Sequence, residues 1–405
     1  MASLALVGLP AIGALLAGLL RRRRRVAAFL GVVLGLAAAA AVASAQVLPL
    51  PGRLLAPAGQ LVVLATFASG AFAVIFVPRG ADRLPLLISV LAGLAAALSL
   101  SLMQPAYLAA VIVLAIAALQ ASLPGIRSFG ERMRGPAFGA VLILAGAALA
   151  IGAANTALSR LAGLGFVLGL AATLGIAPYA RPLDPREPPP ASSIAWLGFL
   201  GPSLLALLAI RLLPLVPGAG GAAFGALLLG LGIFNAAVGA VGGIVSREPA
   251  DRWRHSFLAD WGLVLVALGM LNPSAVEAAF FFLLAILLLR LPLYLLARPA
   301  LVRGVVPSGG ALNLIAAVAL AGGAPFTAFV ARILLVRGTV TIAWPLTALL
   351  ILVLLAWLPA SVRLVETLDM RDPRTRRGVL VVLILNLAIG LFPAPLLSAV
   401  ALTFQ

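Results

Sequence analysis

The stretch from Asn313 to Arg332, Asn-Leu-Ile-Ala-Ala-Val-Ala-Leu-Ala-Gly-Gly-Ala-Pro-Phe-Thr-Ala-Phe-Val-Ala-Arg, is apolar enough to cross a bilayer. It nevertheless carries Gly322, Gly323 and Pro325 at its centre and a fixed charge, Arg332, beyond them. Glycine and proline release backbone N–H and C=O groups that hydrocarbon cannot solvate, so a break at this depth survives only when buried in protein or lining a wet cavity. Two further charges interrupt apolar runs. Arg290 lies within Phe280 to Leu296, more than one turn from either end, where insertion costs about 2.5–3.5 kcal/mol. An interior-facing role accounts for it better than a side chain reaching back to the interface. Asp260, in a run that begins Arg252-Trp-Arg-His, fits equally well as a titratable group or as the counter-ion of Arg290 or Arg332. A broken helix, two arginines and one carboxylate form no bond-making set; they suit the pairing and field of an ion path.

The elements that must position these residues follow from composition. With 63% apolar and 10% charged residues, the chain cannot present a water-soluble surface, and it reads as an all-α polytopic membrane protein. A requirement of about 20 apolar residues per crossing yields fourteen candidate spans, among them the seventh at 161–180, the tenth at 257–272, the eleventh at 274–297, the twelfth at 309–336 and the fourteenth at 378–402. They group as three spans in 1–83, five in 84–213, five in 214–364, and a loop with the last span in 365–405.

Arginine placement tests that count, because cytoplasmic loops concentrate basic residues. Loops after odd-numbered spans hold Arg21 to Arg25, Arg79, Arg83, Arg127, Arg132, Arg134, Arg181, Arg186, Arg247, Arg252, Arg254, Arg298, Arg303, Arg363, Arg371, Arg374, Arg376 and Arg377. Loops after even-numbered spans hold only Arg53, Arg160, Arg211 and Arg337. The alternation puts both termini on the non-cytoplasmic side and makes the net charge of +17 a topology signal. Charge dispersed among apolar spans is not the footprint of a nucleic-acid binder. The five arginines at 21–25 follow the first apolar run, whereas a cleaved signal places its charge before it, so the first helix is expected to be retained. With no cysteine and a single His255, no thiolate-held cluster or multi-histidine site is expected, and no cofactor. Any redox chemistry then belongs to a partner. There is no P-loop, dinucleotide fingerprint or Ser-His-Asp arrangement. His255, Glu248, Asp251 and Glu277 fall near helix ends and read as solvated or interfacial.

The twelfth span is not alone in its interruption. The seventh ends Gly169-Leu-Ala-Ala-Thr-Leu-Gly-Ile-Ala-Pro178-Tyr-Ala180. Breaks in corresponding spans of two halves are the expected trace of an inverted repeat with a path at each repeat interface.

At this point the residues reach a family. The chain resembles the antiporter-like subunits of respiratory complex I, shared with energy-converting hydrogenases and multisubunit sodium/proton antiporters of the Mrp type. Gly322 to Arg332 is similar to the family's Gly-Ile-Pro-Pro-x-Ala-Gly-Phe-x-Gly-Lys, with Gly322, Pro325 and Phe329 matching and Arg332 at the lysine position. Residues 163–190, Arg252 to Gly262, and Asn386 to Leu397 resemble its seventh span and following Pro-rich loop, its tenth span and its last span. The similarity covers roughly residues 84–402. It implies fourteen spans with two inverted five-helix repeats, a prokaryotic inner membrane, neighbouring membrane subunits, and protons or sodium ions moved by lysines and a glutamate along a polar axis.

The departures are as informative. All 28 basic residues are arginine, and there is no lysine. The seventh-span lysine falls on Thr173, the histidine after the proline falls on Ala180, the fifth span from Tyr107 to Leu123 has Gln120 as its most polar group, and Leu200 to Ser203 carries no charge. Drift toward a GC-rich code would have left arginine wherever a positive charge was still needed. Neutral Thr173 and Ala180 therefore mark relaxed selection, and Arg332 marks retained charge. Guanidinium stays protonated in proteins, so Arg332 sets a field but relays no proton. The resemblance thus implies a non-redox membrane-arm subunit with degenerate relay residues, partly or wholly a scaffold. An independent secondary transporter using two broken helices and a purely structural subunit are the alternatives.

Overall fold

A computed structural model describes residues 2–20, 23–44, 57–77, 83–102, 106–123, 129–151, 156–177, 179, 191–212, 218–303 and 310–404. Helices account for nearly all of them, joined by turns and short irregular links, as hydrocarbon demands of any open-ended segment. The first three spans are α1 (Ala2–Leu19), α2 (Arg24–Ser44) and α3 (Pro57–Phe76). The next five are α4 (Arg83–Leu102), α5 (Ala106–Ser122), α6 (Phe129–Ile151), α7 (Thr156–Leu174) and α8 (Ala191–Leu212). Then come α9 (Gly218–Val245), α10 (Pro249–Gly269), and a continuous helix made of α11 (Pro273–Ala285), a π turn (Ile286–Arg290) and α12 (Leu291–Arg303). The twelfth span is split into α13 (Ala311–Leu320) and α14 (Thr327–Val340). After α15 (Trp344–Val365), the last span is bent by 67° between α16 (Pro373–Leu391) and α17 (Ala394–Phe404). Helix occurs at each of the fourteen spans, and the protein is multi-pass. Among the described residues, seven helices are by themselves long and apolar enough to cross a membrane, or eight counting the bent pair.

Of the boundaries that depart from the sequence reading, two bear on the site. α10 begins at Pro249 rather than 257, because Pro249 suits the first helical position and the following Asp251, Arg252, Arg254 and His255 form polar turns that need no hydrocarbon. α7 stops at Leu174, short of 180: Gly175 adopts φ 66° and the Ile176 N–H closes back onto the Ala171 carbonyl, a left-handed glycine cap. Pro178 and Ala180 lie outside the described residues.

The packing recurs five spans later. α4 lies against α8, α5 against α6 and α8, and α6 against α7; correspondingly α9 lies against α15, α10 against α11 and α15, and α11 against α14. An odd offset of five spans reverses the direction of every helix, so the two sets of pairings have opposite polarity. The centre of the molecule is the eleventh span, Pro273 to Arg303, whose middle from Ala278 to Arg298 is enclosed by other helices of the chain. A helix segment with no lipid face has no reason to be amphipathic, and this buried middle carries no charge except Arg290 and Arg298.

α9 and α10 come closest together. Gly225, Gly232 and Gly239 on α9 face Gly269, Gly262 and Ala259 on α10, and a Cβ added at Gly262 would collide with the backbone of Gly232 and Ala236. Small residues on both sides let backbones approach where no hydrophobic drive separates lipid from protein. Gly262→Val should therefore destabilise the detergent-solubilised protein by about 1–3 kcal/mol, whereas Gly230→Val, where added atoms meet nothing, should leave the melting temperature nearly unchanged. Equal effects at the two positions would refute the close approach.

At the membrane surface, Asp372 caps α16. Its carboxylate accepts from the backbone N–H of Arg374 and Thr375 at 3.2 and 3.1 Å and from the Thr375 hydroxyl at 2.8 Å. Partial burial opposes ionisation, but these hydrogen bonds and the Arg374 charge outweigh it and hold the carboxyl below its ordinary value. A depressed pKa contributes stability that is complete above the unfolded-state value and is lost as pH falls through the folded one. Asp372→Asn keeps the cap acceptor, so it should remove the acid-side loss of stability below about pH 4 with little cost at neutral pH. Asp372→Ala should cost about 1 kcal/mol in thermal unfolding.

Candidate functional site

The break in the twelfth span is built by two glycines. α13 ends in a left-handed cap: Gly322 has φ 68°, its N–H donates to the Ala319 carbonyl, and the Gly323 N–H donates to the Val318 carbonyl at 2.8 Å. Only glycine fits at 322 for a second reason, since a Cβ there would run into the Arg332 guanidinium. The cap leaves the Leu320 carbonyl facing the protein interior. Two donors meet it, Trp357 Nε1 from α15 at 3.2 Å and Arg290 Nη2 from the π turn at 3.3 Å.

Arg290 is the hub of the site. It is only 5% exposed, and it forms a two-point pair with Asp260 of α10, Nε to Oδ2 at 2.5 Å and Nη2 to Oδ1 at 3.0 Å. Its guanidinium carbon also lies 5.3 Å from the Trp357 ring centroid, within cation–π range. Burial of a charge is tolerable when geometry and hydrogen bonding are this complete. The π turn contributes the aim: one extra residue per turn in Ile286–Arg290 rotates Arg290 relative to a regular helix, and such turns recur at functional sites.

Arg332 completes the cluster from α14. It lies within electrostatic reach of both Asp260 and Arg290 and shares with them a cavity of about 20 Å³ walled by Phe282, Ile286, Leu320 and Ala328. Arg332 Nε and Arg290 Nη1 are buried and have no hydrogen-bond acceptor among the described residues. Asp260, Arg290 and Arg332 are thus brought together, with Gly322 directly against Arg332, Gly323 packed on Val318, and Gly390 of α16 close on the Pro325 carbonyl. Of the two counter-ion roles open to Asp260 in the sequence, the structure realises pairing with Arg290.

Thr173 stands elsewhere. Its hydroxyl donates to the Gly169 carbonyl of its own helix at 2.7 Å, and Gln120 spends its amide on the Ile194 carbonyl of α8 at 3.1 Å. Beside them opens a cavity of about 810 Å³ between the first half and α10, bordered by Glu131, Arg132, Tyr179, Asp251 and His255. Asp251 also pairs with Arg254 at 2.7 Å. Sequence reading treated Asp251 and His255 as solvated or interfacial; their convergence with Glu131 and Arg132 depends on α6 and α10 meeting across more than a hundred residues.

It also missed the two asparagines. Asn235 on α9 accepts from the Ala177 N–H at 2.9 Å just past the seventh-span break and donates to Leu231, four residues back, at 2.8 Å. Asn386 on α16 repeats this two spans after the twelfth: it donates to Val382, four residues back, at 2.9 Å and to the Leu288 carbonyl inside the π turn at 2.8 Å, while its own carbonyl accepts from Thr327 at the start of α14. A lone asparagine in an otherwise apolar span was the legible signal.

Neither protein-family models nor curated protein sequences give a match. Solved structures do. A chain of the Mrp complex from Dietzia sp. DQ12-45-1b aligns over 100% of this chain with a TM-score of 0.81 and 17% identity, and a chain of respiratory complex I from Thermus thermophilus, with bound aureothin, over 98% with a TM-score of 0.74 and 18% identity. This chain has the antiporter-like fold. A chain of the membrane-bound sulfane sulfur reductase, an archaeal respiratory membrane complex, shares it over 95% of this chain, TM-score 0.71 and 16% identity. The chain spans about half of the Dietzia chain, 52%, but 99% of the Thermus one. At these identities the antiporter-like architecture is what is shared.

Removing one partner of a buried pair costs more than removing both. Asp260→Asn alone should lower stability by about 3–5 kcal/mol in thermal or denaturant unfolding, and adding Arg290→Gln should restore most of the loss. Additive losses in the double variant would mean that the two side chains do not act as a pair.

Proposed function

We propose that this chain is a membrane-arm subunit of a redox-driven, ion-translocating complex in a prokaryotic inner membrane, with other membrane subunits as partners and both termini on the non-cytoplasmic side. The reading is supported by the antiporter-like fold. The observation that carries its mechanism is the Asp260–Arg290–Arg332 cluster at the broken twelfth span. Two guanidinium groups face one carboxylate. The C-terminal end of α13 adds a partial negative charge of about half a unit, so a positive potential remains at the break. Guanidinium does not deprotonate, and a fixed positive potential raises the energy of a proton or sodium ion at that point, as arginine does in selective pores. The second half therefore acts as a fixed-charge element that biases neighbouring subunits rather than as a lysine relay. The first half, with Thr173 bonded to its own helix, serves as scaffold. Residues 84–213 and 214–364 are taken as the two repeats because their helix pairings correspond.

Native purification in mild detergent should bring down subunits bearing iron–sulfur or quinone chemistry. Recovery of the chain as a lone polypeptide that moves an ion or solute by itself would instead make it an independent transporter. Within the complex, Arg332→Ala should change coupled ion transfer per electron while leaving electron transfer intact. Unchanged coupling would remove Arg332 from the mechanism and leave a purely structural subunit.

A further inference from the structure

The first half holds a cavity of about 810 Å³ to which the fixed-charge element gives no role. Its volume is that of a small-molecule site, about 300–1,000 Å³, and its two ends differ in chemistry. Where α6 and α10 begin, it is bordered by Glu131, Arg132, Asp251, Arg254 and His255. Farther in, the walls are Val113, Ile116, Phe199, Pro202, Phe257 and Trp261. From Asp251 to Trp261 the cavity follows α10 for about 15 Å at the helical rise per residue, which is about half the hydrocarbon thickness of a bilayer. Water suits the inner end poorly: a buried water needs about two to four polar partners, and Val113, Ile116, Phe199, Pro202 and Phe257 offer it no polar side chain.

We infer that this cavity binds a zwitterionic lipid of the phosphoethanolamine type, with its head at the polar end and one acyl chain along the apolar walls. The charges at the polar end balance, Glu131 and Asp251 against Arg132 and Arg254. Burial lowers the pKa of His255, which leaves its ring neutral at pH 7. A head with one phosphate and one ammonium finds a complement for each, whereas an anionic head would bring its charge to two carboxylates and offer them nothing. The Arg254–Asp251 pair, 2.7 Å apart with both side chains about a third exposed, belongs to a class worth at most about 1 kcal/mol, so a headgroup can engage both partners at little cost. The orientation is that of a lipid in its own leaflet, head at the surface and chain inward. The site needs only side chains of this chain, so it stands or falls separately from the assembly proposed above.

The test uses palmitoyl lysophosphatidylethanolamine. The detergent-purified 405-residue chain, with whatever accompanies it, is stripped of lipid by detergent exchange. It is then melted in increasing amounts of this lipid, of palmitoyl lysophosphatidylglycerol, and of a nonionic maltoside. The melting temperature should rise saturably with the zwitterionic lipid, and at severalfold lower concentration than with the anionic one. Ala117→Phe, which adds bulk to the cavity wall, should abolish that rise. Glu131→Gln, at the exposed rim, should shift the preference about two- to fivefold toward the anionic lipid, the size of one exposed charge interaction. Should the stripped protein or the phenylalanine variant not fold, electron cryomicroscopy of the wild type in phosphatidylethanolamine nanodiscs decides, with elongated density expected from Arg132 and Arg254 toward Phe199 and Trp261. An equal response to all three amphiphiles, a saturable rise that survives Ala117→Phe, a preference unmoved by Glu131→Gln, or no elongated density in the cavity would overturn the proposal and leave adventitious detergent or water there.

Discussion

Every backbone group released inside this molecule has to find a protein partner, and the arrangement of the second half follows from that requirement. The glycine cap that ends α13 turns the Leu320 carbonyl inward, and Trp357 and Arg290 answer it. The π turn turns the Leu288 carbonyl toward α16, and Asn386 answers it. The first turn of α14 offers Thr327, and Asn386 accepts from it. Each answer fixes a side chain whose position would otherwise be free, so a polar network at mid-membrane emerges from the accounting of backbone hydrogen bonds. Asp260 is the last member, required because Arg290 brings a charge along with its donors.

Much of this layout was legible in the chain. Apolar runs of bilayer length and the confinement of arginine to alternate loops are coarse physical signals, and helix occurs at each of the fourteen positions they mark. The break at Gly322 and Gly323 was equally plain, since only a cap or a turn explains paired glycines in an apolar run. Other features left no local trace. Ile286-Leu-Leu-Leu-Arg290 contains no helix breaker, so nothing in it announces a π turn; the turn exists because neighbours reward the altered aim of Arg290. α7 ends before Gly175 rather than at Pro178 because the glycine adopts the left-handed conformation, which its residue type permits but does not announce. Asp260 had two candidate partners, and only packing of α10 on the eleventh span chooses between them. The large cavity of the first half was invisible for a similar reason, its borders being residues that are separately ordinary.

The two halves now differ in a specific physical sense. In the first, the broken helix is satisfied by neutral groups: Asn235 meets Ala177, and Thr173 and Gln120 bond to carbonyls. In the second, the same backbone problem is solved with charge, and an asparagine in the equivalent place is joined by Arg290, Asp260 and Arg332. A neutral solution fixes geometry alone, whereas a charged one also imposes a potential on its surroundings. One architecture thus carries a neutral copy and a charged copy of the same joint.

The position of Asn386 has a mechanical consequence. Through one side chain and one carbonyl it is attached both to the π turn and to the first turn of α14, while Gly390 lets the same helix press on Pro325. The outer face of α16 is apolar and uncovered, with Leu380, Val381 and Ile384 turned outward. A sideways push on that face is therefore delivered to both interruptions together, and neither can relax without the other. Arg290 and Arg332 stand on those two segments, so α16 is a brace that ties both charged positions to one helix.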